Sequence, residues 1–324
     1  MYKTEELLKL ISDEVNSLNI NGKPIDLYEP IAYTMSQGGK RLRPLLSLVS
    51  CQMFSGDIKA SLIPAISLEM FHNFTLIHDD IMDKAPLRRG KETVYKKWND
   101  NIAILSGDTL FALAYKRLMD YKEGNVIDLI QLLNQTAISV CEGQQLDMNF
   151  EKQENVSIDD YIEMIRLKTA ILIGACLKAG AITAHASFEN QELIYDYGTN
   201  IGLAFQLMDD LLDVFGDIKK FGKTNGGDIR ENKKTFLYLK SLELAKGNDL
   251  KTLKHYFSST NFDEKEKFNA VKSIYQKLRL KEITEELMEN YYELATQILK
   301  DVDVKPEKKN TLDNLTKKIM LRDH

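Results

Sequence analysis

The stretch LIPAISLEMFHNFTLIHDDIMD, residues 62–83, decides the fold. Its apolar residues recur at helical spacing, and the run ends in an Asp-Asp-x-x-Asp cluster, Asp79, Asp80 and Asp83. The same ending returns 130 residues later in FQLMDDLLD, residues 205–213, with Asp209, Asp210 and Asp213. Residues four apart share a helix face, so Asp79 faces with Asp83 and Asp209 with Asp213, and like charges so placed repel. A solvated acidic helix end would explain one such cluster. Two matched clusters, each following a run that should be core, call for a cation. Carboxylates without a companion Cys or His suit a hard ion such as Mg²⁺, held by few carboxylates plus substrate phosphates.

Working outward, helical periodicity recurs over 3–18, 44–54, 102–121, 126–149, 158–184, 191–214, 235–245, 264–280, 283–300 and 308–321. No sustained period-two alternation with Asn-Gly or Asp-Gly hairpins is present. The expectation is an all-α helical bundle, and residues 1–324 are expected to form one domain, since no linker rich in Pro, Gly or Ser divides them. Short glycine pieces beside charges, at 38–40, 88–90 and 215–228, read as functional loops.

The 324 residues carry 43 basic and 48 acidic side chains, a net charge of −5, which argues against a nucleic-acid binder. No uninterrupted apolar run is long enough to predict a transmembrane segment. The amphipathic start, MYKTEELLKLISDEVNSL, has neither a signal-peptide core nor a transit composition, so a cytoplasmic location is expected. Cys51, Cys141 and Cys176 form no CxxC and read as reduced, buried thiols.

Cations that could face phosphates fall into three groups. In GGKRLRP, residues 38–44, a Gly-Gly loop leads into a helix start near Arg41, with Lys40 and Arg43 pointing the same way. Arg88-Arg89-Gly90 follows the first acidic cluster, and its adjacent arginines should diverge toward different phosphates. Lys168, with Thr169, sits in an apolar helical context, while Lys223 and Lys233 flank Asp228; composition alone does not choose between Lys233 and Lys234. Glu69-x-x-His72 has di-iron spacing, but no second such pair exists. Neither the phosphate-binding motifs GxxxxGK[ST] and GxGxxG nor a GxSxG nucleophile elbow is present.

Together these motifs, with GQQLD (143–147), Lys168-Thr169, GKTNGGD and ENKKT, resemble the trans-isoprenyl diphosphate synthases over about residues 36–240. The resemblance implies a helical bundle around a central active-site cavity and condensation of isopentenyl diphosphate with an allylic diphosphate (dimethylallyl, geranyl or farnesyl), releasing diphosphate. It implies Mg²⁺, three ions with substrate bound, held by Asp79, Asp83 and Asp209, with Asp213 and Asp228 acting mainly through water. Arg88, Lys168, Lys223 and Lys233 would contact the allylic diphosphate. Lys40, Arg43, His72 and Arg89 would hold isopentenyl diphosphate. Thr169, Gln206 and the carbonyl of Lys168 would face the developing carbocation. A homodimer is also implied.

Within that family, two residues between Asp80 and Asp83 disfavour the bacterial farnesyl synthases that have four. The resemblance puts product length upstream of Asp79: an aromatic at the fifth position limits the tail, and a second at the fourth gives shorter products. Here Phe74 stands at the fifth, Thr75 at the fourth, and Phe71 lies about one turn beyond Phe74. That favours geranylgeranyl diphosphate, with farnesyl diphosphate next and a longer polyprenyl product behind it. A terpene cyclase would lack GGKRLRP and an all-Asp second cluster, and a non-catalytic partner subunit would have lost one acidic motif.

Overall fold

The computed structural model describes residues 2–124, 126–216, 226–258 and 262–320. The expectation of an all-α chain holds, since helices make up nearly all the regular structure and the described strands are two residues long. In order, α1 spans Thr4–Ser17, α2 Ile25–Ser36, α3 Leu42–Met53, α4 Ile58–Met82, α5 Val94–Lys97, α6 Asp100–Leu118 and α7 Val126–Lys152. Next come α8 (Ile158–Ile165), a π-helical turn (Arg166–Ala170), α9 (Ile171–Thr183) and α10 (Phe188–Phe215). Six more follow: α11 (Gly227–Arg230), α12 (Phe236–Leu244), α13 (Gly247–Ser258), α14 (Glu264–Lys277), α15 (Leu280–Asp301) and α16 (Pro306–Met320).

The chain divides into two compact units: Met1–Gln135, Ala175–Ile194 and Asp303–Leu312 in the first, and Thr136–Gly174, Tyr195–Val302 and Asp313–His324 in the second. In the first unit, α4 is the central element. The Asp57 side chain caps its start by accepting from the Lys59 amide at 2.8 Å. Buried residues run nearly all round it, among them Leu62, Ile66, Met70, Phe71 and Ile77, as expected of a core helix. By length and composition α4 could cross a membrane, but 78% of its apolar window is buried inside the protein. Pro64 therefore lies inside the helix, which starts four residues before the expected 62.

A two-stranded hairpin follows α4, with β1 (Leu87–Arg88) paired to β2 (Lys91–Glu92). Its two-residue loop is Arg89-Gly90, both at positive φ (53° and 74°), the geometry of a type I′ turn that glycine relieves at its second position. Sequence periodicity is blind to strands this short.

In the second unit, a cluster including Tyr161, Met164, Leu207, Leu211, Phe236, Tyr275 and Leu280 forms the core. The expected single helix over 158–184 is instead interrupted by the π turn at Arg166–Ala170. Its apolar spacing continues through the turn, which hides the extra residue. Helices α2 and α13 were not anticipated; Pro24 and Pro30 mask the first, and a polar composition masks the second. The expectation that all three thiols are buried fails for Cys141, which is exposed on α7; Cys51 and Cys176 are buried.

Candidate active site

In the first unit, Asp79 to Asp83 form the last turn of α4, where the Asp83 amide donates to the Asp79 carbonyl at 2.8 Å. Asp79 is half-buried and Asp83 exposed, while Asp80 turns inward at 4% exposure. There Arg88 Nε donates to Asp80 Oδ1 at 2.8 Å. Burial raises the Asp80 carboxyl to about 6, with the Arg88 guanidinium opposing the rise. Arg89, one residue on, instead donates to the carbonyl of Gly38. The two arginines therefore diverge as expected, and the hairpin turn meets the Gly-Gly loop that precedes α3.

That loop positions a second pair. Arg43 on α3 donates from Nη1 to Nε2 of His72 on α4 at 3.0 Å. Burial first, then the surrounding Arg43, Arg89, Arg88 and Arg41, push the imidazole well below its usual range. His72 is thus neutral, and because arginine only donates, its ring proton sits on Nδ1. Lys40 is exposed at the loop. Glu69 is no metal ligand partner of His72: it is 3% exposed and pairs with Arg41 at 2.7 Å.

Phe71 and Phe74 pack together with ring centroids 5.7 Å apart. Phe74 also stacks on Phe111 of α6 at 4.9 Å and meets His78 edge-on at 4.8 Å. Phe111 contacts Tyr115 in turn at 5.2 Å. Phe111 and Tyr115 went unnoticed in the sequence because nothing local ties α6 to α4. Thr75 donates its hydroxyl to the His72 carbonyl at 2.8 Å, so it adds no bulk to this cluster.

In the second unit, a cavity of about 250 Å³ is lined by Asp147, Glu151, Tyr161, Lys168, Thr169, Gln206, Asp209, Asp210, Asp213, Asp228, Lys233, Lys234, Thr235 and apolar neighbours. Helix α10 supplies Gln206 and the second cluster: Asp209 is exposed, Asp213 half-buried and Asp210 buried. The π turn supplies Lys168 and Thr169, consistent with the concentration of such turns at functional sites. Gly143 of α7 makes this possible, because a Cβ there would lie 2.3 Å from the Lys168 nitrogen. Asp147, one turn on, takes Lys168 Nζ at 2.5 Å. The GQQLD motif therefore seats the lysine.

Asp213 accepts from the amides of Gly227 and Asp228 at 3.1 Å each and so starts α11, which carries Asp228 into the cavity. Lys267 on α14 holds the other end of that segment: fully buried, it donates to the Arg230 carbonyl at 3.4 Å and to Asn232. Burial lowers its ammonium to about 8. No sequence signal marked it, since lysines are usually solvated. Lys233 lies 3.4 Å from Glu231 and faces Asp228, whereas Lys234 is tied to the carbonyl of Gln153. Lys223 lies outside the described residues.

The acids of this cavity repel one another in partial burial. Burial, then the Asp213 charge, raise Asp228 to about 7 against the pull of Lys233. Burial and Asp228 push Asp210 well above the carboxylate range, although Tyr161 and Gln206 donate to it. Among the described lining residues the anionic donors are carboxylate oxygens, with no His or Cys, a set that fits a hard divalent cation such as Mg²⁺. Among the described residues no group of three or more His, Cys, Asp or Glu side chains forms a ready-made cage. A cation here would take its remaining oxygens from a phosphate ligand or water.

Comparison with known proteins places the chain in a family. The sequence model of the Polyprenyl synthetase family matches residues 25–278. A geranylgeranyl pyrophosphate synthase of Geoglobus acetivorans is 35% identical over 318 residues, covering 98% of this chain and 97% of that protein. A geranylgeranyl diphosphate synthase of Sulfolobus acidocaldarius is 36% identical over 306 residues, covering 93% and 92%. A crystal structure of a geranylgeranyl pyrophosphate synthase superposes with a TM-score of 0.95 at 44% identity, over 100% of both chains.

Proposed function

We propose that this chain, which belongs to the polyprenyl synthetase family and is a prenyltransferase of the short-chain class, makes geranylgeranyl diphosphate from isopentenyl diphosphate and an allylic diphosphate. The observation that carries the length is the aromatic packing upstream of Asp79: Phe74 stacked on Phe111, with Phe71 behind it and Thr75 leaving the fourth position open. The names of the similar proteins point the same way. We further propose that residues 1–324 work as one catalytic domain, a reading supported by a family match that takes in both acidic clusters.

In the proposed reaction, Arg88, Lys168, Lys223 and Lys233 grip the allylic diphosphate and stabilise its charge as the C–O bond breaks. Mg²⁺ held at Asp79, Asp83 and Asp209, with Asp213 and Asp228 acting through water, would add positive charge against the departing group. Lys40, Arg43, Arg89 and neutral His72 anchor isopentenyl diphosphate, so that its double bond lies close to the forming cation. Thr169, Gln206 and the Lys168 carbonyl turn oxygen toward that cation. The proton lost from the condensed product goes to the released diphosphate.

We also propose a homodimer in the cytoplasm. Exposed apolar side chains on α6, just past its end and on α7, Ile104, Leu105, Met119 and Ile127, support the first. The absence of any disulfide among the described residues supports the second. Light scattering should give twice the chain mass.

The length proposal is tested by labelling isopentenyl diphosphate, supplying each allylic starter in turn and sizing the products. Twenty-carbon product should dominate. Phe74→Ala should shift it longer by one or more five-carbon units, and Phe71→Ala should add to the shift. An unchanged distribution in Phe74→Ala would place the end of the channel elsewhere.

A further inference from the structure

The buried Tyr161 lies outside every role assigned so far. It is 2% exposed on α8, and its hydroxyl bonds Asp210 Oδ2. On the other oxygen of that carboxyl, Gln206 Nε2 donates to Asp210 Oδ1 at 3.1 Å. The opposite end of the Gln206 amide, Oε1, accepts from Thr169 Oγ1 at 3.0 Å. The four side chains form one chain, and all four line the same cavity.

Such a chain has a direction. A threonine hydroxyl has one proton and two lone pairs. While Gln206 turns its carbonyl to Thr169, the hydroxyl proton is engaged, and what Thr169 shows the cavity is lone pairs. With the amide flipped, an N–H would donate to Thr169 and leave its hydroxyl proton free to point into the cavity. A growing positive charge is stabilised by the first arrangement and opposed by the second. Gln206 cannot fix the choice alone, because its two ends are nearly the same shape. Asp210 Oδ1 fixes it, provided Oδ1 is a pure acceptor.

Tyr161 makes that proviso hold. Its hydroxyl donates to Oδ2, so the carboxyl group is held with Oδ1 turned to accept from Gln206 Nε2. We propose that Tyr161 is a positioning residue that sets the polarity of the Asp210–Gln206–Thr169 chain, so that Thr169 presents oxygen lone pairs to the allylic carbon as it becomes positive. This rests on the proposed prenyl-transfer reading.

The experiment is Tyr161→Phe, which keeps the ring in its buried site, made alone and in a Thr169→Val background. Alone, it should lower kcat about tenfold with both diphosphate KM values within about twofold. In Thr169→Val, where no hydroxyl remains to orient, adding Tyr161→Phe should change kcat by less than about twofold. The same tenfold factor in both backgrounds, a loss carried by KM, or no loss in the single variant would overturn the proposal. A second readout needs no turnover. Melting temperatures of Tyr161→Phe, Gln206→Leu and the double variant should show overlapping losses, because both residues bond the same carboxyl group, Asp210. Strict additivity would overturn the chain. If the wild type consumes no isopentenyl diphosphate, the functional reading fails and the melting cycle alone decides the positioning claim.

Discussion

The two acidic clusters share their letters and differ in what their middle residue does. Asp80 and Asp210 are both buried, at 4% and 5% exposure, while the outer acids of each cluster are more open. Asp80 meets a cation, Arg88, and its carboxyl rises only to about 6 despite burial. Asp210 meets the neutral donors Tyr161 and Gln206 and rises well above the carboxylate range. The first inner carboxylate therefore orients a cation, Arg88. The second steers dipoles, those of Gln206 and Thr169. A repeated motif here leaves its outer acids more open and gives its inner ones two different kinds of partner.

The sharpest way to break this comparison is to remove an outer acid from each cluster. Asp79→Ala and Asp209→Ala should each lower kcat by about a thousandfold or more, since charge at the leaving group contributes several kcal/mol and each 1.36 kcal/mol is about tenfold. A large loss in one and near-normal turnover in the other, by steady-state kinetics, would show that the outer acids are not equivalent.

The inner acids should then separate. Asp80→Asn removes the charge that orients Arg88 and should raise the allylic KM about tenfold or more. Asp210→Asn keeps an oxygen for Gln206 and an amide for the Tyr161 oxygen, so kcat should stay within about threefold. Equal losses in the two variants would erase the distinction.

The smallest expected effect is on stability. Asp228, raised to about 7, keeps its proton in the folded state while the unfolded chain has lost it above about 4. The folded state then binds more protons, so metal-free stability contributed by this group falls as pH rises from about 4 to about 7. Asp228→Asn should flatten that fall and melt a few degrees above the wild type at pH 8 without metal. A variant that melts lower at pH 8 would mean Asp228 is held charged at little cost.

Much of this was legible in the sequence. Apolar periodicity gave the long helices, and spacing alone singled out both acidic clusters, because like charges on one helix face are costly without a partner. Lys168 stood out as a charge in an apolar run, but its π turn did not, since apolar spacing on either side stays helical through 158–184. Gly143 and Asp147 lay in view within GQQLD, yet their task needs a backbone 21–25 residues away in the chain. Tyr161, Phe111 and Lys267 were invisible for a common reason. A buried tyrosine, phenylalanine or lysine acquires its meaning from tertiary neighbours, and none sits in a motif that local physics would single out.

The most direct test of the account is metal dependence of the condensation itself. Purified chain, labelled isopentenyl diphosphate and farnesyl diphosphate should give twenty-carbon product with Mg²⁺ and lose turnover by orders of magnitude in excess EDTA, recovering when Mg²⁺ is restored. Near-normal turnover in EDTA would contradict the role given to both acidic clusters.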